Sequence, residues 1–130
     1  MNEEKRRFIN RLCSSEGIIG ALAIDQRGAL KKMIAQFKGS EAEDTEIVEF
    51  KKIVASELTE YASSILLDPD YGLPAADVKN ENSGLLLAYE KTGYDTSTPG
   101  RLPDLLASWS VKRLKEAGAD ACKTLLYYDI

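Results

Sequence analysis

Apolar and polar residues follow one another along this chain in a pattern that predicts short strands separated by helices. Four apolar runs, each ended by polar residues, predict buried strands at 18–25, 64–68, 84–90 and 121–128. Apolar residues spaced three or four positions apart predict helices at 29–38, 44–61 and 74–82, and another that starts at Pro103 and stops before Gly118. A further helix is predicted over 3–16, as an amino-terminal extension before the first strand.

Two of these helices carry an apolar face of the kind that packs on a sheet. In the helix over 29–38 the face consists of Leu30, Met33, Ile34 and Phe37. In the helix over 44–61 it consists of Ile47, Phe50, Ile53, Val54, Leu58 and Tyr61.

Strands that are apolar throughout and alternate with helices indicate a parallel sheet covered by helices. Two α/β architectures fit this pattern, a doubly wound sheet and a (β/α)8 TIM barrel. The first strand is followed by Asp25-Gln26-Arg27-Gly28 and not by a glycine-rich phosphate loop, which favours the barrel. A complete barrel needs roughly 250 residues. Residues 1–130 are therefore expected to form the first, four-stranded half of a single barrel domain.

Composition narrows the classes of function. The net charge is −4, so general affinity for nucleic acid is not expected. No apolar run approaches the roughly 18 residues that span a membrane. The two cysteines lie far apart in the chain, which is typical of reduced thiols in a cytoplasmic protein. The chain has no histidine, the commonest metal ligand, so no metal site is expected.

Acidic residues close the predicted strands. Asp25, Asp68 and Glu90 end the first three, and Asp129 ends the fourth. In a parallel barrel they would gather at one rim, the usual catalytic face, where Asp68 and Glu90 are expected to bind substrate. Acids at strand ends often cap the turn or helix that follows, and for each acid taken alone this structural role is the stronger interpretation. The loop at 91–102 is long enough to cover a substrate.

Lys123 lies inside an apolar strand, where an ammonium group without a partner is costly. Asp25 and Glu90 could reach it across the rim and keep it charged. We therefore expect Asp25 and Lys123 to lie within hydrogen-bonding or close ionic reach, the alternative being a lysine that turns outward into solvent. A lysine beside a carboxylate suits a reaction on a carbonyl compound, because one exchanges a proton while the other stabilises negative charge.

Gln26 and Arg27 provide hydrogen-bond donors just beyond the first strand. An arginine at this position suits bidentate contact with a phosphate. Pairing of Arg27 with a neighbouring carboxylate is an equally good interpretation.

Four stretches together carry a specific resemblance: ALAIDQRGAL (21–30), YASSILLDPDYGLPAA (61–76), LLAYEKTGYD (86–95) and RLKEAGADACKTLLYYD (113–129). Over almost its whole length the chain resembles the class I tagatose-1,6-bisphosphate aldolase family. It is more distantly similar to the sulfofructose-phosphate aldolases, which share the Asp-Gln-Arg element.

The resemblance implies a (β/α)8 barrel that cleaves a phosphorylated ketose substrate into dihydroxyacetone phosphate and glyceraldehyde 3-phosphate. It implies a lysine Schiff base, with no metal and no cofactor. Asp25 corresponds to the family's active-site aspartate and Lys123 to its auxiliary lysine, while Gln26 and Arg27 fall where substrate-phosphate contacts are expected. The family's Schiff-base lysine and glutamate acid/base lie on later strands, so neither is expected within residues 1–130.

Two functions from different classes follow. The first is an aldolase of which this chain is the N-terminal part. The second is a catalytically silent half-barrel that acts as an interaction or regulatory module. If these 130 residues are the whole polypeptide, the first and fourth strands would be open edges, which predicts self-association, either as a homo-oligomer or as an aggregate.

Overall fold

The computed structural model describes residues 1–91 and 102–126. Its helices are α1 (Glu3–Leu12), α2 (Gly28–Lys38), α3 (Asp44–Leu58), α4 (Leu73–Ala76) and α5 (Val111–Glu116), and its strands are β1 (Ala21–Ala23), β2 (Ser64–Leu67), β3 (Gly84–Ala88) and β4 (Ala121–Lys123). Most of the predicted loop at 91–102, the end of the predicted fourth strand and Asp129 lie outside the described residues. Within those residues, no helix has the length and apolar character needed to cross a bilayer.

The four strands form one parallel sheet in the order β1-β2-β3-β4. In the register, Ala23 is opposite Leu66, Leu66 is opposite Leu86, and Ala88 is opposite Lys123. A doubly wound sheet reverses its strand order at a switch point, whereas a barrel adds its strands in sequence. The observed order excludes the doubly wound alternative and confirms the first half of a (β/α)8 barrel.

The core lies between the sheet and its helices. Alternate strand residues face it: Ile24, Ile65, Leu67, Leu85 and Leu87. Ala55 of α3 and Leu114 of α5 pack against these side chains. Complete burial of a large aliphatic side chain stabilises a fold by about 1.5–3 kcal/mol. This layer therefore holds the strand ends in place.

Helix α1 packs at the amino-terminal end of the sheet. The Ser63 hydroxyl donates a hydrogen bond to the Leu12 carbonyl at 2.7 Å. Gly84 lies so close to the Arg11 carbonyl that a β-carbon there would collide with it. The helix ends at Leu12 and does not extend over the predicted 3–16, because the Ser14 amide bonds the Ile18 carbonyl and closes a turn.

Helix α3 buries only part of the predicted face, since Ile47 is fully buried and Val54 packs against the core. Its buried positions are Ile47, Lys51 and Ala55, each four residues apart. The predicted face is largely exposed at Phe50, Ile53, Leu58 and Tyr61, and in α2 the same holds for Met33 and Phe37. These apolar side chains therefore lie on the outer side of their helices, away from the core.

The prediction of a helix starting at Pro103 is wrong for the residues before Val111. The backbone near Leu105 pairs with Glu90 as an isolated antiparallel bridge. Helix α5 begins only after Ser110, whose side chain caps it by accepting the Arg113 amide at 3.2 Å. The backbone groups that would have formed a longer helix are thus hydrogen-bonded to the residues that follow β3.

Candidate active site at the strand ends

Three charged side chains meet at the carboxyl ends of the strands, and we call Asp25, Glu90 and Lys123 the rim triad. Nζ of Lys123 is 3.1 Å from Oδ2 of Asp25 and forms a second ion pair with Oε1 of Glu90. The predicted contact between Asp25 and Lys123 is therefore present. Lys123 keeps 29% of its side chain exposed and turns towards the carboxylates, not outward into solvent.

Lys123 is held as a cation. Burial lowers the pKa of its ammonium group, but the hydrogen bonds to Glu90 and Asp25 outweigh burial, so the net pKa is raised above its ordinary value of 10.5. A protonated amine has no lone pair with which to attack a carbonyl. The arrangement therefore suits stabilisation of negative charge and not nucleophilic attack.

Glu90 presents one carboxylate oxygen that no described residue satisfies. Its side chain is 3% exposed, and Oε1 is occupied by Lys123. Oε2 is buried and has no hydrogen-bond partner within residues 1–91 and 102–126. An unpaired buried acceptor carries a free-energy cost. Oε2 can therefore accept a hydrogen bond from a group that does not belong to the described residues.

Arg27 is buried, and both of its terminal nitrogens donate to protein acceptors. Its Nη1 donates to Oδ2 of Asp70 at 3.0 Å and its Nη2 donates to the Glu90 carbonyl at 2.9 Å. Of the two interpretations left open by the sequence, pairing with a carboxylate is the one observed. Gln26, beside it in the same turn, is exposed and remains free to meet a ligand.

Asp68 lies behind the rim triad with its side chain fully buried. Its Oδ2 accepts the Tyr71 amide at 2.8 Å, and its Oδ1 pairs with Lys51. Both oxygens are thus engaged by the protein, and the side chain has no exposed surface through which a substrate could contact it.

The turn after Asp68 requires a glycine. Gly72 donates its amide to the Asp68 carbonyl at 3.0 Å. A β-carbon at residue 72 would lie 2.6 Å from that same carbonyl oxygen, which no side chain can tolerate. The Asp-Pro-Asp-Tyr-Gly segment therefore winds tightly around Asp68 and fixes its carboxylate.

Lys51 is the functional candidate that the sequence interpretation missed. It lies on α3 with its side chain fully buried and forms an ion pair with Asp68. Burial lowers the pKa of the Lys51 ammonium group, and Asp68 opposes this only in part. Its position four residues after Ile47 and four before Ala55 was the available signal, because those two share the buried row.

The site combines a fixed cation, two carboxylates and an exposed amide at the mouth of a half-barrel. Such a set can exchange a proton with a substrate oxygen and stabilise negative charge on it. Among the residues that the structure describes, no group of three or more His, Cys, Asp or Glu side chains is arranged to hold a metal ion.

Comparison with known proteins identifies relatives of this chain. It is 66% identical over 126 residues to tagatose 1,6-diphosphate aldolase 2 of Enterococcus faecalis, a match covering 97% of this chain and 38% of that protein. It is 60% identical over 129 residues to the tagatose 1,6-diphosphate aldolase of Staphylococcus aureus, covering 99% of this chain and 40% of that protein. This chain thus spans about two fifths of the length of the curated relatives it matches. The family model described as DeoC/LacD family aldolase matches residues 19–130, and the chain belongs to that family.

Proposed function

We propose that this chain forms the N-terminal half-barrel of a class I aldolase that cleaves D-tagatose 1,6-bisphosphate into dihydroxyacetone phosphate and glyceraldehyde 3-phosphate. The names of the relatives support the substrate. The observation that carries the proposed chemistry is the charged Lys123 held between Asp25 and Glu90 at the strand ends. The enzyme would be a lyase that acts in the cytoplasm on a phosphorylated ketose, through a Schiff base and without a metal or cofactor.

In this proposal the Schiff-base lysine comes from the part of the protein that follows residue 130. Lys123 is unsuited to that role, because its raised pKa keeps the amine protonated. Its ammonium group instead stabilises negative charge that develops on a substrate oxygen. Asp25, at 3.1 Å from that ammonium, exchanges the proton of the substrate hydroxyl as the carbon–carbon bond is made or broken.

The remaining rim residues divide into two groups. Gln26 is exposed and would contact a substrate phosphate. Glu90 holds Lys123 through Oε1, and its buried Oε2, which has no partner among the described residues, would accept a donor from the substrate or from a later part of the polypeptide. Arg27 and Asp68 are buried and already paired. We assign these two to support of the site in place of direct substrate binding.

The test uses the full-length polypeptide that contains this chain. Tagatose and fructose 1,6-bisphosphates are supplied separately, and release of glyceraldehyde 3-phosphate is followed with a coupled dehydrogenase. Borohydride reduction in the presence of the ketose bisphosphate, followed by peptide mass spectrometry, locates the trapped imine. We expect cleavage and an adduct beyond residue 130. Absence of cleavage and of adduct would refute the proposed function, and an adduct on Lys123 would refute the assigned roles.

The second candidate function is a catalytically silent half-barrel that binds another protein. In the four-stranded sheet β1 and β4 are the edges, and they are open to another chain only if no later strand of the same polypeptide covers them. A full-length protein that binds ketose bisphosphate without cleaving it, and that forms a complex through these edges, would support this alternative.

A further inference from the structure

Lys51 and Asp68, the anchor pair, form an ion pair behind the rim triad in which both side chains have no exposed surface. The proposed chemistry makes no use of Lys51, which lies on α3 in the outer layer of helices. Burying a lysine is costly even when it is paired, and an apolar residue of similar volume is often as stable. The anchor pair is therefore poorly explained by packing alone.

Asp68 of the anchor pair lies beside the guanidinium group of Arg27. Oδ2 of Asp68 lies 3.8 Å from Nε of Arg27, close enough for attraction but too far for a hydrogen bond. Nε of Arg27 is buried and has no hydrogen-bond partner within the described residues. Lys51 pairs with the other oxygen of Asp68, Oδ1, and this neutralisation weakens the attraction of Asp68 for the guanidinium group.

Arg27 in turn connects two of the strand ends that carry the rim triad. Its Nη2 donates to the main-chain carbonyl of Glu90, the residue whose carboxylate holds Lys123. Its own main chain lies two residues after Asp25, in the turn between β1 and α2. A shift of the guanidinium group would therefore move Asp25, Glu90 or both relative to Lys123.

We propose that Lys51 is a positioning residue for the aldol cleavage, acting from α3 through Asp68 and Arg27 to set the geometry of the rim triad. It touches no substrate. This inference rests on the proposed function for its kinetic readout, and a second readout on Lys123 makes it testable without that function.

Removing Lys51 alone leaves Asp68 charged and buried beside the unpaired Nε of Arg27. The guanidinium group is then expected to close the 3.8 Å gap and to weaken its bond to the Glu90 carbonyl. Replacing Lys51 by Met and Asp68 by Asn together avoids the uncompensated charge. The Asn side chain still offers an oxygen to the Tyr71 amide, so this double variant keeps the turn.

The experiment compares Lys51→Met, the Lys51→Met/Asp68→Asn double variant and a Lys52→Met control, all in the full-length polypeptide. Lys52 is the next residue on α3 and pairs with Glu49 on the surface. For each protein, kcat and KM are measured with tagatose 1,6-bisphosphate, and unfolding is followed by circular dichroism. The rate at which acetic anhydride acetylates Lys123 is measured by mass spectrometry relative to Lys112, which is 85% exposed.

We expect the double variant, in which no buried carboxylate draws the Arg27 guanidinium group, to unfold near the wild-type temperature and to keep most of the wild-type kcat. For Lys51→Met we expect kcat to fall about 10- to 100-fold at little-changed KM, because misplacement remote from the chemistry can cost this much. Acetylation of Lys123 in Lys51→Met should become about tenfold faster, as for a fall of one unit in its pKa. The control should match the wild type in all readouts.

A folded Lys51→Met variant with wild-type kcat and wild-type acetylation of Lys123 would overturn the inference and leave Lys51 as a counter-charge only. A folded double variant that loses about 10- to 100-fold in kcat would also overturn it, because Asp68 carries no charge in that variant. If the wild-type protein itself cleaves no ketose bisphosphate, the proposed function fails. The acetylation rate of Lys123 then decides the positioning role by itself.

Discussion

Replacing Lys123 by alanine in the full-length polypeptide removes the cation of the rim triad and gives the most direct test of its chemistry. The ammonium nitrogen is 3.1 Å from Oδ2 of Asp25. Two unit charges at that separation attract by about 5 kcal/mol at an effective dielectric constant of about 20. A developing substrate oxyanion at a similar distance would gain a comparable gross energy, part of which hydration and binding already supply in the ground state.

We therefore expect a net loss of about 2–4 kcal/mol of transition-state stabilisation, which lowers kcat about 30- to 1000-fold. Folding should change less. Breaking a fully buried ion pair costs about 3–5 kcal/mol, whereas Lys123 keeps 29% of its side chain exposed. The deficit in unfolding free energy should accordingly stay below that range.

The assay combines steady-state cleavage of tagatose 1,6-bisphosphate, chemical denaturation and borohydride trapping of the imine. Lys112→Ala is the matched control, because Lys112 is a highly exposed lysine on α5. The variant at residue 123 should still be trapped, since another lysine forms the adduct. Complete loss of trapping in a folded variant would refute the reasoning and make Lys123 the nucleophile. Unchanged kcat would equally refute it.

The remaining predictions concern glycines, pH and the isolated chain. Gly84→Ala, whose β-carbon would collide with the Arg11 carbonyl, and Gly72→Ala, which overfills the turn after β2, should each cost about 1–3 kcal/mol in chemical denaturation. Gly20→Ala, which meets nothing within 4 Å, should cost less. The raised pKa of Lys123 means that its contribution to stability is complete below pH 10.5 and is lost as pH rises through the higher folded value. The loss of unfolding free energy in Lys123→Ala, measured by chemical denaturation at each pH, should thus be constant from neutral pH to about pH 10 and become smaller above it. The 130-residue chain by itself should self-associate in light scattering and lack aldolase activity, and an active monomer would contradict this.

The sheet and its rim could be predicted because their signals are local. An apolar run that ends at Asp25 marks the end of a strand, and a lysine inside another apolar run demands an anion. Parallel topology then brings both ends to one face. The contact between Asp25 and Lys123 follows from these two facts without any knowledge of side-chain geometry.

The support behind the rim could not be predicted in the same way. A hydrophobicity pattern counts Lys51 as a surface residue, although it shares the buried row with Ile47 and Ala55. Whether such a lysine is buried depends on a carboxylate 17 positions away, Asp68, and no periodicity reports that pairing. The residues near Leu105 were misassigned for a related reason, since their backbone bonds depend on the end of β3.

The charges of this protein differ sharply in their access to dissolved ions. Surface pairs such as Lys31 with Asp44 and Lys38 with Glu46 lie in water, where about 0.15 M salt screens charges beyond roughly 8 Å. The pair of Lys51 with Asp68 has no exposed surface, so salt reaches neither partner. Raising the ionic strength should therefore weaken these surface pairs while leaving the buried pair behind the site intact, and the loss should be recovered on dilution.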